Sequence, residues 1–128
     1  MRIDPIEVLV SYLDSQADIP TGSVIGDMTQ HVTGETAVYL ESMGGFRVVR
    51  NRMDRADIEY DVYSLDRKTA VDLALLVRER LLEHLPDSIV SGALVLDVEE
   101  IDSPKYDPDE SSREHVYCGQ VAVFYTAA

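Results

Sequence analysis

Residues Asp57 to Leu85 constrain the fold more than any other stretch, because the hydrophobic period changes inside them. Ile58, Tyr60 and Val62 interleave with Glu59, Asp61 and Tyr63, the pattern of a strand with two unlike faces. Ser64-Leu65-Asp66 breaks the alternation. Ala70, Leu73, Ala74, Val77 and Leu81 then recur at helical spacing and form one core stripe. Asp66 is placed to cap that helix, and Pro86 ends it after Leu85. The rest of the chain has to pack around this strand and helix.

The chain has 128 residues, enough for one domain with a real core, and 45% of them are apolar. Its net charge of −13 disfavours nucleic acid unless a local basic patch exists. No apolar run reaches about 18 residues, so no helical membrane span is expected. The opening residues lack a positive-then-apolar pattern, so no secretion signal is expected. Cys118 is the single cysteine, which precludes an internal disulfide and fits a reducing compartment.

Before this unit, Asp4-Pro5-Ile6-Glu7 reads as a helix start, with Asp4 as cap, Pro5 in the first turn and Glu7 at the capping-box position. Ile6, Leu9, Val10 and Leu13 form its apolar stripe, and the helix should end by Gln16. Ile19-Pro20-Thr21-Gly22 is a turn, and Val24-Ile25 is a brief strand at most. Gln30 to Glu35 has loop character and contains His31. Val38 and Leu40 alternate with Tyr39 and Glu41 in a second strand, which Gly44-Gly45 is expected to end. After the helix, a strand over Ala93–Ile101 places Leu94, Leu96 and Val98 on one face and Asp97 and Glu99 on the other. A loop over Ser103–Ser112 follows. The final strand, His115–Thr126, is apolar on both faces and should lie centrally in the sheet. The order is α–β–β–β–α–β–β, which implies an α+β fold: a single domain with a mostly antiparallel sheet and two helices on one face.

Two stretches suggest contacts. Phe46–Arg55 is the one basic island, with Arg47, Arg50, Arg52 and Arg55 against Asp54. It reads either as a hairpin arm or as a loop, and either as a solvated segment or as a protein contact for acidic neighbours. No aromatic residues interleave its arginines as a stacking platform for nucleic acid. On the helix, Val71, Leu75 and Leu82 form a second apolar line beside the core stripe. They either wedge the helix between the sheet and the first helix or meet a neighbouring subunit.

No reactive constellation accompanies these features. Acids crowd from Asp97 to Glu114, but an EF-hand beginning at Asp97 would need Gly where Asp102 stands. His115 and Cys118 fall on opposite strand faces, so no thiolate–imidazole pair is expected. Cys118 reads as a small core residue. His31 and His84 have no metal-spaced partner. Gly22 and Gly26 precede no phosphate-loop Lys. The expectation is no catalytic residue, no metal and no cofactor.

An ordered set of features across most of the chain resembles the tail terminator (tail completion) proteins of long-tailed bacteriophages, especially those infecting actinobacteria. These are the helix Pro5–Leu13, the turn at Pro20, and the strand Ala37–Met43 closed by Gly44-Gly45. Ala56-Asp57-Ile58-Glu59-Tyr60-Asp61-Val62-Tyr63 follows, running into the Ala70…Leu81 helix. Last come the loop Pro104–Asp109 and a Tyr/Val-rich final strand. The Arg-rich segment and the acidic excess lie outside the match.

The resemblance implies a structural protein of the virion, at the head–tail junction, assembled in the bacterial host cytoplasm. It implies a ring, typically of six identical subunits, that caps the head-proximal end of the tail tube and stops its growth. The implied partners are other copies of the chain, the tail tube protein and the head–tail connector protein. DNA passes through the lumen unread, and no membrane is involved. An acidic lumen, offering no phosphate-binding cations, suits such passage. A closed ring needs head-to-tail contacts between unlike patches. Opposite charge nominates the arginines of Phe46–Arg55 and the acids Asp97, Glu99, Asp107 and Asp109 for that role, with Val71, Leu75 and Leu82 as an apolar contact. Other readings are a head-closure or adaptor protein of the neck, a small acidic protein-binding module, and an enzyme with an acidic metal site.

Overall fold

The period change at Asp57–Leu85 becomes a strand, β3 (Met53–Ser64), and a helix, α2 (Arg67–Glu79), in a computed structural model that describes all 128 residues. Ile58, Tyr60 and Val62 are fully buried, and so are Ala70, Ala74, Val77 and Leu81 facing them. Asp66 caps α2 by accepting a hydrogen bond from the Thr69 backbone N–H at 3.2 Å. The helical run reaches Leu85 as expected, but its last turn, Arg80–His84, is a wider π-turn closed by Leu85 N–H donating to the Arg80 carbonyl at 2.9 Å.

The other elements are α1 (Pro5–Asp14), β1 (Val24–Ile25), β2 (Ala37–Val49), β4 (Ile89–Val90), β5 (Ala93–Tyr106) and β6 (His115–Ala127). This is the expected α+β order, with the two-residue β4 added after α2. The strands form one sheet in the order β1-β2-β3-β6-β5-β4, antiparallel except for the β1–β2 pair. Both helices cover one face, and β6 is central, as its two apolar faces imply.

The β3–β6 pair holds a tight contact at the centre of the sheet. Tyr60 stands directly opposite Gly119. A Cβ on Gly119 would lie 2.3 Å from the Tyr60 ring. The missing side chain is the space the ring occupies, so the largest fully buried side chain lies flat against its neighbouring strand.

Several expectations need correction, most of them because of β-bulges. Gly44-Gly45 does not end β2. The register shifts between Ser42 and Gly45, both glycines adopt positive φ, and the strand continues to Val49. A Cβ at Gly45 would meet the Arg55 carbonyl oxygen at 2.0 Å, so the glycines admit a bulge rather than a stop. Phe46–Arg55 is therefore a hairpin arm, turning at Arg50–Arg52 with Asn51 at φ 58°. In β5, a bulge between Val95 and Asp97 reverses the alternation. Ala93, Val95 and Val98 are buried, whereas Leu94 is only half-buried and Leu96 is exposed, so the expected face of Leu94, Leu96 and Val98 does not form. Residues Ser103–Tyr106 extend β5, which shortens the expected loop.

At α1, Asp4 caps as expected, accepting from the Ile6 N–H at 3.0 Å, but Glu7 makes no reciprocal bond. Its buried face is Val8, Leu9, Tyr12 and Leu13, and Ile6 and Val10 flank it half-buried. The core face is thus rotated from the stripe the spacing marks.

Replacing Gly119 with Ala should destabilise the fold by about 1–3 kcal/mol, since the added methyl would stand against the fully buried Tyr60 ring. A lower urea midpoint with an unchanged m-value checks this, and an unchanged midpoint rejects it.

Candidate functional site

Residues directly opposite each other on antiparallel strands share a face, and the register therefore maps the helix-free side of the sheet. One row reads Glu41, Glu59, Gln120 and Asp102, and the next reads Tyr39, Asp61, Cys118 and Lys105. Further toward the arm lie Asp57, Ala122 and Glu99, then Arg55, Phe124 and Asp97. The face is thus predominantly acidic. Asp97 and Glu99 lie on it, as expected, whereas Asp107 and Asp109 sit in the loop beyond β5 and rim its edge beside Lys105.

The four arginines do not behave alike. Arg47 donates to Asp54 at 2.9 Å and Arg55 to Asp57 at 2.8 Å, and the Arg55 guanidinium also lies over the Phe46 and Phe124 rings. These two are satisfied within the chain and stiffen the arm. Arg50 and Arg52, at its tip, are exposed and make no ion pair. Around them the arm exposes Met43, Phe46, Val48 and Val49. A groove where the arm leaves the sheet is lined by Phe46, Arg47, Asp54 and Tyr125 among others. Some of the acids are engaged as well. Asp97 accepts from the Val98 N–H, and Asp109 accepts from Ser111 and Ser112, which lowers its carboxyl below the usual range.

The second apolar line of α2 divides. Val71 and Leu82 are half-buried against the core, and Leu75 is 49% exposed. Leu75 and Leu82 line a shallow groove with Arg78, Glu79 and Glu83.

Two buried carboxylates carry no local sequence signal. Glu114, 2% exposed, takes His31 Nε2 at 3.0 and 3.2 Å on its two oxygens and the Gly34 N–H at 3.3 Å. His31 also packs on Tyr63, ring centroids 4.8 Å apart. This contact joins the loop before β2 to the start of β6. Asp61, 7% exposed, sits beside Cys118 and Glu59. Burial pushes its carboxyl up to about 7, with the Cys118 hydrogen bond opposing and the Glu59 charge adding to the rise. Cys118 itself is half-buried on the helix-free face, not in the core. Burial, then the hydrogen bond and charge of Asp61, pushes its thiol up, which keeps it protonated and weakly nucleophilic. His115 hydrogen-bonds the Tyr106 hydroxyl at 2.6 Å instead of approaching Cys118. The paired groups therefore do not assemble into a nucleophile and base.

No protein-family model matches the chain, and no curated protein matches it. Among solved structures, a chain of the "Virion of native gene transfer agent (GTA) particle" is similar over 94% of this chain and 92% of that one, with a TM-score of 0.72 and 13% identity. This fold occurs in a virion particle. At that identity the likeness is one of architecture, and it spans both chains nearly end to end.

Leu75→Asp should leave the monomer folded, at a cost below about 1 kcal/mol, because the side chain already faces water. Val77→Asp, in the core stripe, should unfold it. Circular dichroism melts of the two variants check the contrast, and an unfolded Leu75→Asp would make that position core.

Proposed function

We propose that the chain is a structural virion protein, specifically a tail terminator that forms a ring, six-membered by resemblance, on the head-proximal end of a tail tube. The observation that carries this reading is the near end-to-end fold likeness to a chain of the gene transfer agent virion. The ordered resemblance to tail terminators supplies the finer assignment. The partners are other copies of the chain, the tube protein and the head's connector, with DNA passing through the lumen unread.

The surface supports head-to-tail assembly. β2 is paired by β1 at only two positions, and β5 is paired by β4 at only two, so each leaves a long open edge. Open edges are templates for another strand and are usually blunted or covered. The two edges differ in charge. The β2 edge leads into the arm with Arg50 and Arg52, and the β5 edge carries Asp97, Glu99 and Asp102. Contacts between such unlike patches generate closed rings where the rotation between copies closes, and in the proposed ring the tip arginines of one copy meet the acidic β5 side of the next. Asp107 and Asp109 border that side, and Leu75, with Leu82 behind it, adds a smaller apolar contact.

A head-closure or adaptor protein of the neck is the second reading, because it accounts for the same virion fold likeness. Electron microscopy of the protein alone and mixed with tail tubes tests both. Rings or end-caps on the tube support the terminator. Protein that binds the head portal and ignores tube ends supports the neck alternative.

Reversing Arg50 and Arg52 to Glu together should weaken assembly, most at low salt, where surface charge is least screened. Sedimentation at two salt concentrations reads this. Rings of unchanged stability would remove the arginines from the interface.

A further inference from the structure

Glu41, Glu59 and Asp61 converge on the helix-free face of the sheet, from two neighbouring strands. One carboxylate oxygen from each lies within 4.8 Å of the other two. Glu41 stands opposite Glu59, and Asp61 follows two residues along the same face of β3. None of the three belongs to an ion pair, and the nearby cations are engaged elsewhere, Arg55 by Asp57 and Lys105 by Asp102. A second observation separates this group from an ordinary acidic surface. Asp61 is 93% buried, the complement of its 7% exposure, and its Oδ1 has no hydrogen-bond partner. A buried carboxylate oxygen without a partner is costly, and such groups are normally paired or bound to a metal.

We propose that Glu41, Glu59 and Asp61 form a binding site for a hard divalent cation of the calcium class. Oxygens bound to one calcium ion at about 2.4 Å lie no more than about 4.8 Å apart, and all three meet that limit. The donors are all carboxylate oxygens, which suit calcium over the softer transition metals. Calcium accepts the irregular geometry of a sheet surface, which magnesium, with its strict octahedron, tolerates poorly. Glu41 is exposed, so water has access to the open side of the ion. Bound calcium ties β2 to β3 at the base of the arm and neutralises charge at the most crowded part of the face. Glu79, Glu83 and His84 also approach one another but are exposed, with no orphaned buried atom, and serve as the control cluster.

The site does not rest on the virion reading and is tested on the chain alone. Protein stripped with EDTA is titrated with calcium chloride at constant ionic strength, and the heat of binding and the melting midpoint are recorded. The expected result is saturable binding with a midpoint several degrees higher. Binding should weaken roughly tenfold or more in Glu41→Gln and Glu59→Gln and disappear in Asp61→Asn. Glu79→Gln with Glu83→Gln should leave it unchanged. Glu41 lies at the surface, so its variant remains informative even if Asp61→Asn folds poorly. Absence of heat and shift in the natural chain overturns the proposal. So does an equal shift in the Glu41→Gln, Glu59→Gln double variant, which would be general screening of an acidic chain. Calcium-indifferent protein whose assembly nonetheless fails in these variants also overturns it, since the carboxylates would then receive a basic side chain of a neighbour.

Discussion

The contact of Tyr60 with Gly119 holds the two central strands in one register, and the remaining structure depends on that register. β3 and β6 pair over their full lengths, and α2 lies across them. A slip of one residue would turn Ile58, Tyr60 and Val62 to the helix-free side and place Asp61 under the helix. The tyrosine ring admits no partner but glycine at the opposite position, so the slipped pairings lose both the core and the fit. The Tyr60 hydroxyl is buried without a partner, and burial raises its pKa, so the ring's packing stabilises against that cost.

The register also sorts charge between the two sides of the sheet. On the helix side, ion pairs anchor α2 and its last turn: Arg78 grips Glu100 with two bonds and ties α2 to β5, and Arg80 meets Asp18. On the opposite side, carboxylates outnumber cations and several have no partner. A net charge of −13 works against a compact state through self-repulsion. A face that concentrates this charge becomes more stable when something positive reaches it. The arm presents unpaired arginines at its tip, and the trio at its base offers oxygen donors with one orphaned atom. The first suits a neighbouring copy and the second a cation, and the two are far enough apart in kind to act independently.

The bulges connect the fold to this surface. One at Gly44-Gly45 lets β2 run on into the arm, and one after Val95 returns Val98 to the core while Asp97 and Glu99 stay outside. Both lie on strands whose outer edges are open, where extra residues are tolerated because no third strand has to match them. The same irregularities therefore lengthen the edges and set the charge they present.

Local pattern alone determined the β3–α2 unit, the Asp4 and Asp66 caps, the central place of β6 and the helices on one face. Each depends on residues within a few positions of one another, where hydrophobic period and capping chemistry act. The arm's basic character was equally plain, but its form was not, because a Gly-Gly pair serves a turn and a bulge alike, and only the partner strand decides between them. Leu94 and Leu96 depart from the face their alternation marks for the same reason, since a bulge is a property of a pair of strands. Asp61, Glu114 and His31 carried no mark at all. An acid alternating with apolar residues reads as solvent-facing, and its burial comes from neighbours far along the chain: Cys118 and Tyr39 around Asp61, and the His31 loop over Glu114. Tertiary structure decided these because burial and pairing of charge depend on distance in space.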